Sequence, residues 1–150
     1  MDIAIESPRQ ADILALLADG DAAALALYPA ENYYGLDVTA LERPGVALLV
    51  ARSEGTALGT AALVDNGDGT AELKRMFVSP AARGLGVAST LLTAIETRAL
   101  SLGATTVLLE TGHPQVAAIA LYEKHGYEHI AQFGQYVGDP TSVCMKKTLA

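Results

Sequence analysis

The segment Val78-Ser79-Pro80-Ala81-Ala82-Arg83-Gly84-Leu85-Gly86-Val87-Ala88 leaves an apolar run, passes two glycines and enters a run with helical spacing. Backbone N–H groups at a helix start lack intrahelical partners and carry the positive end of the macrodipole, so such a turn can bind phosphate. Gly84 and Gly86 let an anion approach the backbone, Arg83 adds a cationic fork, and the small Ala88 leaves the first turn open. A Walker A loop is excluded, because no Gly-Lys-Ser/Thr follows at the required spacing. A dinucleotide fingerprint fits poorly, since Ser89 stands where a third glycine belongs. Spacing alone leaves a plain structural turn as an equal explanation.

Two other kinds of reactive side chain occur in the sequence. Cys144 could accept an acyl group, but Ser142-Val143-Cys144-Met145-Lys146 reads as a half-buried strand, where a free cysteine behaves as a small hydrophobe. His125 and His129 are separated by Gly126, which interrupts the helix, and His113-Pro114 reads as a turn. No metal is expected.

These residues must be positioned by a scaffold that the sequence outlines. The chain of 150 residues fits one ordinary domain, residues 1–150. Apolar residues make up 51% and charged residues 18%, enough side chain to offset chain entropy and exclude disorder. Ile3 and Ile5 suggest a first strand; Ser7-Pro8 resembles a helix start, with Ile13, Leu14, Leu16 and Leu17 following at helical spacing. Asp19-Gly20-Asp21 predicts a break, and Ala22 to Tyr28 a second helix ended by Pro29. An irregular stretch runs from Pro29 to Pro44. Val46 to Ala51, Thr56 to Val64 and Ala71 to Val78 then read as an antiparallel meander, joined through Ser53-Glu54-Gly55 and Asn66-Gly67-Asp68-Gly69. Val87 to Leu102 is predicted as a helix closed by Gly103, Thr105 to Glu110 as a strand, and Gln115 to His125 as a helix stopped by Gly126. Tyr127 to Ile130 and Ser142 to Lys147 complete the order as strands.

With its glycine turn placed between the third meander strand and a long helix, the chain resembles a known family. Glu72-Leu73-Lys74-Arg75-Met76-Phe77-Val78, then Pro80, then Arg83-Gly84-Leu85-Gly86-Val87-Ala88 is similar to the GNAT superfamily of acyl-CoA-dependent N-acyltransferases, whose signature is Arg/Gln-x-x-Gly-x-Gly/Ala. Ala118-Ile119-Ala120-Leu121-Tyr122-Glu123-Lys124-His125-Gly126-Tyr127 resembles that family's second signature, in the expected order and separation. The resemblance implies an α/β (α+β) fold: a single mixed, mostly antiparallel sheet flanked by helices on both faces. It also implies a strand bulge near Met76, Phe77 and Val78 whose freed backbone groups pair with a pantetheine arm, and a diphosphate of coenzyme A held by the N–H groups from Arg83 through Ala88.

The implied reaction is attack by an amine on the thioester carbonyl of acetyl-CoA, directly and in a ternary complex. An alkyl amine has a pKa near ~10.4, so something must take its proton. Glu72, on the strand leading to the cradle, is the candidate base, directly or through water. Tyr122, carried over from the family's tyrosine, is the candidate acid for the departing thiolate, and the Val78 amide the candidate oxyanion donor. An ordinary strand glutamate and a packing tyrosine are the plain alternatives.

Acceptor candidates lie in the irregular stretch, Glu31, Tyr33 and Tyr34 with Asp37, and in the late loop ending at Tyr136. Ten Lys+Arg against 17 Asp+Glu give a charge of −7, which argues against nucleic acid and favours a cationic small amine. No segment approaches the ~20 apolar residues of a membrane span, and no basic, apolar leader opens the chain, so a cytoplasmic protein is expected. A strand edge at Ser142 to Lys147 could support a homodimer. Two other classes stay open: a silent acyl-CoA sensor using the same cradle, and a nucleotide-binding module. Acetylation of protein or peptide amines is the alternative within the enzyme class.

Overall fold

Alternation of side chains along the central strands assigns each to one of two cores. In the computed structural model, which describes residues 1–149, Ala47, Leu49 and Ala51 join one buried cluster while Leu48 and Val50 join another. These residues lie on β2 (Val46–Ser53), which pairs antiparallel with β1 (Asp2–Ile5) and with β3 (Thr56–Asp65); β3 in turn pairs with β4 (Thr70–Val78). The larger core is closed by α3 (Val87–Ser101), whose Val87, Leu91, Leu92, Ile95 and Ala99 are buried, and by Tyr122 of α4 (Val116–Lys124). The smaller core lies under Ile13 and Leu17 of α1 (Ala11–Leu25) and Leu41 of α2 (Val38–Leu41). The helices therefore cover both faces of one sheet.

β4 pairs in parallel with β5 (Thr106–Gly112), and the chain returns through α4 to β6 (Glu128–Ile130) and β7 (Ser142–Thr148). The strand order is β1-β2-β3-β4-β5-β7-β6, a mixed, mostly antiparallel sheet as expected. α3 ends at the anticipated glycine: Gly103 has φ +84, its N–H bonds Leu100 O at 3.0 Å, and the Ala104 N–H bonds Ala99 O at 3.0 Å. That pair satisfies the last carbonyls of the helix.

Three expectations are corrected. Asp19-Gly20-Asp21 does not break the first helix, and Ala22 to Tyr28 is not a second one: α1 runs unbroken from Ala11 to Leu25. Gly20 is explained by a close approach, since a Cβ there would lie 3.3 Å from Phe77 Cγ. Ser7 does not cap that helix either; its hydroxyl accepts from the Arg9 N–H, and the helix starts after Gln10. Last, Ser142 to Lys147 is not a sheet edge. β7 is bonded on one side to β5 and on the other to β6, so the edge proposed for a homodimer is already occupied.

Candidate active site

β4 and β5 are hydrogen-bonded only where Thr70 to Leu73 lie beside Thr106 to Leu109. Beyond that point β5 continues along β7 to Gly112 while β4 stays with β3, so the two strands part company. β4 also carries an irregularity: Thr60 pairs with Phe77 and Ala62 with Lys74, leaving Arg75 and Met76 opposite the single residue Ala61. Arg75 sits at φ +55, and its carbonyl accepts the Thr60 hydroxyl at 2.9 Å. Its guanidinium, with a side chain only 6% exposed, donates to Asp21, to Tyr33 Oη and to Leu17 O of α1, which fastens the bulge to that helix. Past the bulge the Ser79 N–H bonds Leu58 O at 2.8 Å. Alternation then turns the N–H and C=O of Val78 and Met76 away from β3 and into the gap.

A cleft of 710 Å³ fills the gap between the parted strands. Met76, Phe77, Val78, Arg83 and Ala88 line it beside the start of α3, and Leu121 and Tyr122 line it from α4. Gly84 and Gly86 adopt φ +80 and +77 with open space where a Cβ would point, so the backbone conformation requires glycine there. α3 has no side-chain N-cap; Gly86 O accepts both the Thr90 N–H and the Thr90 hydroxyl, while the N–H groups of Val87, Ala88 and Ser89 have no intrahelical acceptor. Leu85 is exposed on the same turn, and Val87 packs into the core beneath it.

Tyr122 is buried against Tyr127, with ring centroids 5.9 Å apart. Burial, then the Glu110 charge, pushes its phenol well above the ordinary range. On the sheet face opposite the larger core, Tyr136 Oη accepts from Lys74 Nζ at 2.7 Å and donates to Glu72 Oε2 at 2.5 Å. Tyr34 donates to Asp139 at 2.6 Å and meets the Tyr136 ring edge-on at 4.9 Å. Those contacts tie the irregular stretch after α1 to the late loop. Burial raises the Tyr136 phenol and, with the Glu72 bond, keeps its proton on oxygen.

Of the candidates named from sequence, Tyr33, Tyr34, Tyr136, Met76, Phe77, Val78, Arg83, Ala88 and Tyr122 line the one cleft, and Gly84, Leu85, Gly86 and Val87 complete its turn. Glu72 stands behind Tyr136 and does not line the cleft. Glu31 is exposed in the turn Ala30–Asn32 and does not reach the cleft, which corrects its assignment to the acceptor wall. Asp37 is likewise engaged elsewhere, capping α2 through the Ala40 N–H at 2.8 Å. His125 Nε2 lies 3.0 Å from Ser89 Oγ, and His129 pairs with Glu123. Cys144 is buried, and burial raises its thiol.

The residue that sequence reasoning missed is Glu110. It lies on β5 one position past the last rung shared with β4, and it lines the cleft. Its carboxylate accepts the Ser142 hydroxyl at 2.6 Å. Burial lifts its pKa to about 7, against the lowering by Ser142 and by the Lys74 charge. The only signal in the sequence was a charged residue inside an apolar strand run, Leu108-Leu109-Glu110.

Comparison with known proteins identifies the family. Residues 12–127 match the sequence model of the Acetyltransferase (GNAT) family. An IAA acetyltransferase of Azospirillum brasilense is 43% identical over 148 residues, covering 98% of this chain and 97% of the relative. The crystal structure of a candidate acyl-CoA N-acyltransferase from Klebsiella pneumoniae superposes with a TM-score of 0.84 at 36% identity, over 99% of this chain and 97% of that one. A Bacillus subtilis acetyltransferase solved in complex with CoA shares the fold, with a TM-score of 0.74 at 18% identity over 99% and 98% of the two chains. The match spans both the glycine turn and the Tyr122 helix, and this chain belongs to the GNAT family of acetyltransferases.

Proposed function

We propose that the protein transfers the acetyl group of acetyl-CoA to the primary amine of a small molecule, by direct attack in a ternary complex. The observation that carries this reading is the cleft between the diverging β4 and β5. It brings the Val78 backbone, Tyr122 and a carboxyl poised near neutrality, Glu110, to one space beside the glycine turn. A fold neighbour solved with CoA supports the choice of donor.

In this reading the N–H groups from Arg83 through Ala88 hold the diphosphate, with the Arg83 guanidinium beside them. The outward N–H and C=O of Met76 and Val78 pair with the amides of the pantetheine arm as an added strand would, with the Phe77 ring as packing at the turn. The Val78 N–H polarises the thioester oxygen. Glu110 takes the proton of the attacking amine as the N–C bond forms. The C–S bond breaks, and Tyr122 supplies a proton to the leaving thiolate, giving an amide and free CoA. Glu72 acts through Tyr136, whose hydroxyl it holds, and so positions Lys74 and the acceptor wall of Tyr33, Tyr34 and Tyr136.

The test is thiol release from acetyl-CoA in the presence of an amine panel. Amine-dependent release following a ternary-complex rate law is expected. A parallel-line pattern with acetylated Cys144, or CoA binding without transfer to any amine or peptide, would overturn it.

A further inference from the structure

The charges lining the cleft reverse the preference drawn from the chain's net charge. Four charged residues line it, Lys74, Arg75, Arg83 and Glu110, and the acidic side chains of Glu31, Asp37 and Glu72 stay outside. Arg75 is consumed by Asp21, Tyr33 and Leu17 O, and Arg83 stands at the glycine turn over the Phe77 ring. Lys74 differs from both. Its side chain is only 9% exposed and donates one hydrogen bond, to Tyr136 Oη at 2.7 Å, while Glu72 pairs with its charge at the longer distance of 3.8 Å. An ammonium carries three donors, so beyond the bond to Tyr136 it has N–H groups that a carboxylate in the cleft can accept.

The placement of Lys74 relative to Glu110 sets what that anion must be attached to. Leu73 and Leu109 are register partners and both face the larger core. Lys74 and Glu110, the next residues on each strand, therefore project to the opposite face as neighbours across the opening gap. One takes a negative group while the other takes a proton from an amine. Much of the remaining wall, Ala23, Ala24, Leu27 and Val116 with the rings of Tyr28 and Tyr34, is apolar or aromatic, beside the polar Thr111 and Gln115.

We infer that the acceptor is an amine bearing its own carboxylate, an amino acid with an apolar or aromatic side chain, with Lys74 pairing its carboxylate beside Glu110. This rests on the transfer reading above and narrows it. Nitrogen acylation leaves the carboxylate in place, so Lys74 holds substrate and product alike.

The experiment compares kcat/KM for free amino acids and their decarboxylated counterparts: leucine against isopentylamine, phenylalanine against phenethylamine, with phenylalaninamide as a third arm. An ion-paired hydrogen bond predicts that the acids are preferred by about 10- to 100-fold. Lys74→Gln brings the acid-to-amine ratio to about one, and Lys74→Arg retains most of it. Parity between acid and amine in the wild-type protein, or a ratio that survives in Lys74→Gln, overturns the inference while leaving acetyl transfer intact. No turnover of any member overturns the transfer reading, and this one with it.

Discussion

Replacing Glu110 by Gln removes the proton acceptor while keeping a side chain of the same shape that can still bond the Ser142 hydroxyl. The carboxyl titrates at about 7 instead of the ordinary 4.5, chiefly through burial. A shift of this size corresponds to ~3 kcal/mol between the ionised and neutral forms, at about 1.4 kcal/mol per unit. The sign follows from the direction. Because the folded value is raised, the stability contributed is fully present below pH 4.5, falls as pH rises toward about 7, and is absent above it. Glu110→Gln is therefore expected to unfold in urea at a higher midpoint than wild type at pH 8 and to match it at pH 4.5, a gain of up to ~3 kcal/mol on the alkaline side. Activity moves the other way. A positioned base contributes about 10²- to 10⁴-fold, so kcat/KM falls by at least ~100-fold at pH 8, and the acidic limb near pH 7 disappears. The assay is a pH series of thiol release run beside urea melts on the same preparations. A limb that survives in Glu110→Gln, or a loss under about threefold, would refute the reasoning and return the proton to Glu72 or to solvent.

Three further outcomes are expected. Tyr122→Phe lowers kcat far more than it raises the acetyl-CoA KM, because the phenol is used at the leaving thiolate; equal changes in both would show that it only packs. Gly86→Ala forces a Cβ into φ +77 at a strain of about 1–2 kcal/mol and raises the acetyl-CoA KM roughly tenfold, with little change in the KM for the amine. Arg75→Ala unfastens the β4 bulge from α1 and strips Asp21 and Tyr33 of their shared partner, costing about 2–4 kcal/mol in chemical melts.

The parts legible in the sequence are those set by local chemistry. Positive φ at Gly103 needs a glycine whatever packs around it, and the meander turns and the α3 face can be read from spacing. What escaped depends on distant partners. Gly20 looked like punctuation, but its missing Cβ makes room for Phe77, far along the chain. Ser142 to Lys147 looked like an edge because nothing local reveals that β6, earlier in sequence, lies outside it. At the cleft the same rule holds. Glu110 owes its raised pKa to burial among residues distant in the chain, and Lys74 bonds Tyr136, whose hydroxyl comes from the loop between β6 and β7. Net charge is a poor guide to the cleft for a related reason: most acidic residues face solvent, and three of the four charged residues lining the cleft are basic.

The account as a whole turns on where coenzyme A sits. A crystal structure of the protein soaked with acetyl-CoA should show the diphosphate against the amides of Arg83 to Ala88, the pantetheine arm along Met76 to Val78, and the sulfur within reach of Tyr122 Oη. Density for the cofactor on any other surface, or none at millimolar acetyl-CoA, contradicts it.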